Sequence, residues 1–236
     1  MSNLKDFSLI VPAAADKAEY CTSMPYIFRP DDDGTMLCVK SIMGLNLQDF
    51  DGIYFTILRK HADAFDIDTL MRLQFKRLGL ENAHLVILDE PTRTQAQTIE
   101  QTIRKTGIAG SVFIKDADGF FNAEIAPYNG IAVYPLEKME MVDPRNKSYV
   151  AVDDMQHVTN IIEKRIVSNL FNAGGYCFED ATDFLNMYDE LHKLGHIYLS
   201  HIIYAMLLKQ FTFRPYIVKH YTDWGTQNLY RISNEN

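Results

Sequence analysis

Two short acidic stretches hold the residues best suited to chemistry. In Ser111-Val-Phe-Ile-Lys-Asp116-Ala-Asp118-Gly, an apolar strand ends abruptly in two carboxylates, and Asp223-Trp-Gly-Thr226 supplies a third much later in the chain. In an open α/β sheet, ligands collect outside the carboxyl ends of the strands. A carboxylate there suits Mg²⁺, which is usually held by one or two carboxylates together with phosphate oxygens. If Asp223 returns to the rim that carries Asp118, the pair forms a metal site for phosphate chemistry. Singly, each has a plainer reading: Asp118 fits a turn before Gly119, and Asp223 fits a helix N-cap.

The elements that must position these carboxylates follow from periodicity. Residues 7–11 form an apolar run that reads as a strand and ends at Pro12 and the small residues Ala13, Ala14 and Ala15. Residues 36–45 have helical spacing. The turn pair Asp51-Gly52 followed by β-branched and aromatic residues predicts a strand over 51–58; 67–78 reads as an amphipathic helix stopped by Gly79, 84–88 as a strand, 92–105 as a helix after Pro91, and 111–114 as a strand. Strands that alternate with helices imply a mostly parallel sheet covered on both faces. Short strands at 131–134, 149–152 and 158–163, set off by turn signals, predict an antiparallel excursion. A glycine-bent strand over 171–178, helices over 181–194 and 196–209, and a last strand over 216–221 complete the pattern.

The chain has 236 residues, 47% of them hydrophobic, which suffices for a sizeable core, and residues 1–236 are expected to form one domain. A formal charge of −8 argues against a nucleic-acid-binding face, which is usually basic. Cys21, Cys38 and Cys177 form no C-x-x-C pair, so zinc and redox sites gain no support. The longest apolar run, 197–208, is interrupted by Ser200 and His201 and is too short to span a bilayer. With no basic start followed by an apolar stretch and a cleavage site, a cytoplasmic protein without membrane partners is expected.

Set in order, Leu9-Ile-Val-Pro-Ala-Ala-Ala15, Leu88-Asp-Glu-Pro-Thr92 with Gln95-Ala96 and Thr98, Asp116-Ala-Asp118, Glu163-Lys164, Asn172-Ala-Gly-Gly-Tyr-Cys-Phe178 and Asp223-Trp-Gly-Thr226 resemble the sugar-phosphate nucleotidyltransferase family. The resemblance spans residues 9–226. It implies a Rossmann-like three-layer α/β/α fold with a mostly parallel mixed sheet. It also implies a Mg²⁺-dependent enzyme that joins a nucleoside triphosphate to a phosphorylated small molecule and releases pyrophosphate. By resemblance, Pro12, Ala13, Ala14 and Ala15 cradle the triphosphate. Thr92, Gln95, Ala96 and Thr98 face the base and ribose, with Asp116 beside them. Asp118 and Asp223 hold Mg²⁺. Lys164 contacts the acceptor phosphate, with Glu163, Gly174 and Gly175 on the acceptor side. The wording of Ala13-Ala-Ala-Asp-Lys17, Asp116-Ala-Asp118 and Gly174-Gly-Tyr-Cys-Phe178 is similar to capsule-cluster nucleotidyltransferases of the cytidylyltransferase kind, which implies CTP as the donor and a sugar phosphate or phosphoglutamine as the acceptor. A homodimer through the short antiparallel strands is envisaged.

The chain departs from the family in its first loop. That loop is normally rich in glycine, with a cation soon after, and glycine lets backbone N–H groups approach phosphate closely. Here alanines replace the glycines, and Lys17 is the obvious replacement cation, ahead of Arg29 and Lys40. Two rivals follow. A glycosyltransferase of the nucleotide-sugar fold would use Asp116-Ala-Asp118 as its metal clamp. A non-catalytic nucleotide-binding regulator would explain the altered loop.

Overall fold

A computed structural model of the chain describes residues 6–14, 23–138 and 143–225. Its first half alternates β1 (Phe7–Pro12), α1 (Leu37–Lys40), β2 (Gly52–Leu58), α2 (Arg59–Phe65), α3 (Ile67–Leu78), β3 (Ala83–Leu88), α4 (Gln95–Thr106) and β4 (Ser111–Lys115). Its second half contains β5 (Gly119–Asn122), β6 (Gly130–Pro135), β7 (Ser148–Val152), β8 (Val158–Glu163), β9 (Leu170–Phe178), α5 (Ala181–Leu191), α6 (Leu199–Leu208), β10 (Arg214–Ile217) and β11 (Lys219–Asp223).

The main sheet runs β10-β6-β9-β4-β1-β2-β3, with the β7–β8 hairpin attached to β9 through the Tyr149–Phe171 pair. Strands β3, β2, β1 and β4 are mutually parallel, and β9 runs antiparallel between β4 and β6. Along β1, Phe7, Leu9 and Val11 face a core shared with Val39 of α1, Ala62 of α2, and Met71 and Phe75 of α3. Ile10 faces the opposite core, with Ile99 of α4, Phe184 of α5 and Ile202 of α6. This two-sided burial is why the parallel strands read as unbroken apolar runs. The result is the three-layer α/β/α architecture with a mostly parallel mixed sheet that the resemblance implies. Strand β1 has β2 on one side and β4 on the other. Successive crossovers therefore leave it in opposite directions, and a crevice opens at the carboxyl ends of β1 and β4.

The differences from the sequence reading have local causes. The helix expected over 36–45 is a single turn, Leu37–Lys40. Beyond it, Gly44 lies so close to the backbone that a Cβ there would sit 2.0 Å from the carbonyl oxygen of Phe121, and Leu45 bridges to Ala123. Helix α2 starts directly from β2 with no side-chain cap, so nothing in the sequence announces it; Asp66, at φ +54°, separates it from α3. Helix α4 begins at Gln95 rather than Thr92 because Thr94 is its N-cap, its hydroxyl accepting from the Gln97 N–H. Helix α6 begins at Leu199, which leaves His196 and Tyr198 free to line the crevice. The last strand divides. β10 pairs with β6 in the main sheet, whereas β11 leaves it and pairs antiparallel with the unanticipated β5, Asp223 opposite Gly119. Among the described residues, no helix is long and apolar enough to cross a membrane.

Candidate active site

The crevice is a cavity of about 620 Å³ whose walls come from several elements. The end of β1 contributes Pro12, Ala13 and Ala14. The approach to α4 and its first turns contribute Thr92, Gln95 and Thr98, and the loop after β4 contributes Asp116 and Asp118. The hairpin and α6 close the far side with Lys147, Ser148, Glu163, Lys164, Tyr198 and Ser200.

Strand β11 brings the second carboxylate to the first. The carbonyl of Asp118 accepts from the N–H groups of Trp224 and Gly225, at 2.9 and 3.3 Å. A Cβ on Gly225 would lie 3.0 Å from Asp118 Oδ2 and 3.2 Å from Asp223 Oδ1. Glycine thus keeps open a small space bounded by both carboxylates. That space and its all-oxygen donors fit Mg²⁺, a hard cation that takes one or two carboxylates and completes its shell with phosphate and water. Among the described residues, no cluster of three or more His, Cys, Asp or Glu forms a self-sufficient metal cage. Tyr26 borders the same space, its hydroxyl 3.3 Å from the Cβ built on Gly225 and donating to Asp118 Oδ2 at 2.9 Å.

The loop between the strands is held from beneath by Lys115. This lysine is fully buried, lies over the Phe121 ring, and donates to the carbonyls of Asp116 and Gly119 at 2.9 and 2.8 Å. Burial drives its pKa down to about 8, against the pull of Asp116 and Asp118. Asp116 is held between Gln95 and Gly174. Its Oδ1 accepts from Gln95 Nε2 at 2.5 Å, its N–H donates to the carbonyl of Gly174, and burial followed by the nearby Asp118 charge raises its pKa. Across the crevice, Lys147 Nζ lies 2.8 Å from Asp223 Oδ2 and donates to the Tyr221 hydroxyl at 2.7 Å. Burial opposes the Lys147 charge, but Tyr221 and Asp223 together hold its pKa above the ordinary lysine value. On the hairpin side, Glu163 Oε2 accepts from the hydroxyls of Ser148 and Ser200, at 2.5 and 2.7 Å. Lys164 Nζ donates to the Tyr198 hydroxyl at 3.2 Å and lies over its ring.

Of the residues singled out from sequence, Pro12, Ala13, Ala14, Thr92, Gln95, Thr98, Asp116, Asp118, Glu163 and Lys164 line one cavity. Asp223 adjoins it through Asp118 and Lys147. Ala15, Lys17 and Thr226 lie outside the described residues. Three residues are placed elsewhere. Ala96 is buried under α4 in the core. Gly174, at φ +82°, gives space to the Asp116 side chain rather than to the cavity. Gly175 packs against Ala132, Phe113 and Phe121. Sequence reasoning missed Lys147, Asn172 and Tyr26. Asn172 is buried on the cavity wall, its Oδ1 accepting from the Gly174 N–H at 2.7 Å and its Nδ2 without a partner among the described residues. Its place in Asn-Ala-Gly-Gly was the available signal. For Lys147, the only sign was its place just before a strand after the Asp143-Pro144 turn.

No protein-family model matches the chain, and no curated protein matches it. Solved structures do. The nucleoside-diphosphate-sugar pyrophosphorylase from Vibrio cholerae is 17% identical, with a TM-score of 0.76 over 94% of this chain and 98% of that one. The inositol-1-phosphate CTP transferase from T. maritima is 14% identical, with a TM-score of 0.70 over 93% of this chain and 89% of that one. A UDP-glucose pyrophosphorylase complexed with UDP-glucose is 13% identical, with a TM-score of 0.69 over 96% and 98%. At these identities the likeness shows the architecture, and this chain has the α/β fold found in those transferases and pyrophosphorylases.

Proposed function

We propose that the chain is a Mg²⁺-dependent nucleotidyltransferase. It moves a nucleoside monophosphate, CMP from CTP, onto a phosphorylated small molecule, a sugar phosphate or a phosphoglutamine-like acceptor, in surface-polysaccharide assembly. The observation that carries this reading is the meeting of Asp118 and Asp223 around Gly225 at the mouth of a cavity at the sheet's switch point. A structural neighbour that is a CTP transferase supports the choice of nucleotide.

In the reaction, an oxygen of the acceptor phosphate attacks the α-phosphorus of the triphosphate. A new P–O bond forms, the bond from the α-phosphorus to the bridging oxygen breaks, and pyrophosphate leaves with that electron pair. Both partners are anions, so catalysis is mostly positioning and charge compensation. A metal held by Asp118 and Asp223 would neutralise charge on the phosphates. The end of β1 would receive the triphosphate, with Lys17 as its cation. Gln95, Thr98 and Asp116 would line the nucleoside side. Lys164 would hold the acceptor phosphate and Glu163 the remainder of the acceptor. No general base is needed, because the attacking phosphate is already ionised. Engagement of Asp116 Oδ1 by Gln95, with Oδ2 set against Gly174, counts against an Asp-x-Asp clamp of the glycosyltransferase kind.

The test is pyrophosphate release with Mg²⁺, with the ribonucleoside triphosphates and dTTP screened against sugar phosphates, phosphocholine and phosphoglutamine. Release with CTP and one acceptor is expected. Triphosphate binding without release with any acceptor would favour the regulator instead. The reading includes a homodimer through the short antiparallel strands, and a monomer by size-exclusion chromatography would end that part.

A further inference from the structure

Asp223 already has a cation on it. Lys147 Nζ sits 2.8 Å from Asp223 Oδ2, and the two side chains are only 18% and 9% exposed. The Tyr221 hydroxyl, 2.7 Å away, holds the ammonium in place, and the Tyr221 ring centroid is 5.4 Å from it. Asp223 is thereby divided: Oδ2 faces the ammonium, while Oδ1 faces the space beside Gly225 that Asp118 Oδ2 also borders. Lys147 itself lines the cavity, so its charge also faces whatever enters there.

A bare divalent ion entering that space would meet a fixed positive charge across a single carboxylate. In so sheltered a position little solvent screens the repulsion. A divalent ion that arrives with a polyphosphate does not meet the same barrier, because the phosphate charge offsets both cations together.

We propose that Lys147 makes metal binding conditional on nucleotide. It pairs with Asp223 before nucleotide arrives, disfavours a metal ion on its own, and favours one that comes with phosphates. The inference rests on Asp118 and Asp223 being the metal ligands, as in the function proposed above. Lys147 is a positioning residue here, acting on the metal through Asp223.

The experiment is direct Mn²⁺ binding, by electron paramagnetic resonance of the free ion, to the full chain and to Lys147→Gln. Each is titrated with Mn²⁺ alone and with a pool of the four ribonucleoside triphosphates. Glutamine keeps a donor for Asp223 and removes the charge. Lys147→Gln should bind bare Mn²⁺ roughly tenfold tighter, since an ion pair so enclosed is screened little. The gain in Mn²⁺ affinity on adding triphosphate should shrink by a similar factor. Should Lys147→Gln fail to fold, Tyr221→Phe, which removes one of the two holds on the ammonium, should shift bare Mn²⁺ affinity the same way by a smaller factor. Equal or weaker bare Mn²⁺ binding in the variant overturns the role of Lys147 and leaves the metal site standing. No Mn²⁺ binding by either chain, with or without triphosphates, removes the metal site itself and this inference with it.

Discussion

Gly174 gives the sharpest test of how the Asp116 loop is held. A Cβ at Gly174 would stand 2.6 Å from Asp116 Oδ2 and 2.9 Å from both Asp116 Cβ and Cγ, and its φ is +82°. Rotating the Asp116 carboxyl away relieves the first contact but leaves that with Cβ. The strands cannot spread easily, because the Asp116 N–H donates to the Gly174 carbonyl at 2.8 Å. Two terms therefore add in Gly174→Ala. A left-handed backbone costs an L-residue about 1–2 kcal/mol. Forcing a methyl into filled space costs about 1–3 kcal/mol. The expected destabilisation is about 2–5 kcal/mol. Two reference variants separate the terms. Gly79 has φ +68° and nothing within 4 Å of its added Cβ, so Gly79→Ala isolates the backbone term. Gly175 has an ordinary φ, and its added Cβ would lie 2.7 Å from Ala132 Cβ and 2.9 Å from two phenylalanine rings, so Gly175→Ala isolates packing. Urea denaturation monitored by circular dichroism gives all three values. Triphosphate affinity of Gly174→Ala, measured under folding conditions, should fall as the Asp116–Gln95 contact is displaced. If Gly174→Ala costs no more than Gly79→Ala, the Asp116 carboxylate is not pinned against Gly174 and the account of the loop is wrong.

Further predictions concern chemistry and pH. Asp118→Asn should lower turnover by a factor on the order of 10² or more with an unchanged far-ultraviolet spectrum, since it removes half of the carboxylate pair; full activity would remove the mechanism. Glu163→Gln should raise KM for the acceptor and leave KM for the triphosphate unchanged, and the opposite split in steady-state kinetics would move Glu163 to the nucleotide side. Lys115 titrates near 8 when folded and near 10.5 when unfolded, so the native state sheds its proton first. Its contribution to stability is present above pH 10.5 and lost as pH falls through about 8, and Lys115→Met should abolish that rise in urea midpoint between pH 8 and 10.5. Asp116 has the opposite sign: its raised pKa means stability present below pH 3.8 and lost as pH rises through the folded value, a loss that Asp116→Asn should remove.

The parallel half of the fold was legible because burial on both faces writes long apolar runs. Residues 67–78 with Gly79 were read to the residue, and β8 likewise. What escaped was set by tertiary contact. The single turn of α1 stops where Gly44 meets the Phe121 backbone, and β5 exists only because β11 comes to pair with it. The site divides in the same way. Asp118 and Asp223 could be singled out because carboxylates at strand ends are conspicuous, and the structure sets them on either side of Gly225. Lys147 was not, because a lysine before a strand is ordinary until Asp223 lies beside it. Gly174 and Gly175 advertised close approach, but the approaching groups are Asp116 and the core rather than a ligand.

The departure of β11 from the main sheet has a consequence for the order of assembly. Asp118 can be positioned once β4, β1 and Lys115 have come together, all within the first half of the chain. Asp223 arrives only when β11 docks on β5, in a two-stranded sheet of its own. The same small sheet can come apart while the nine-stranded one stays intact, since local opening follows cooperative units rather than the whole molecule. Asp223 therefore depends on the docking of β11 on β5, and a substitution that weakens this small sheet should displace that carboxylate at a lower urea concentration than melts the nine-stranded sheet.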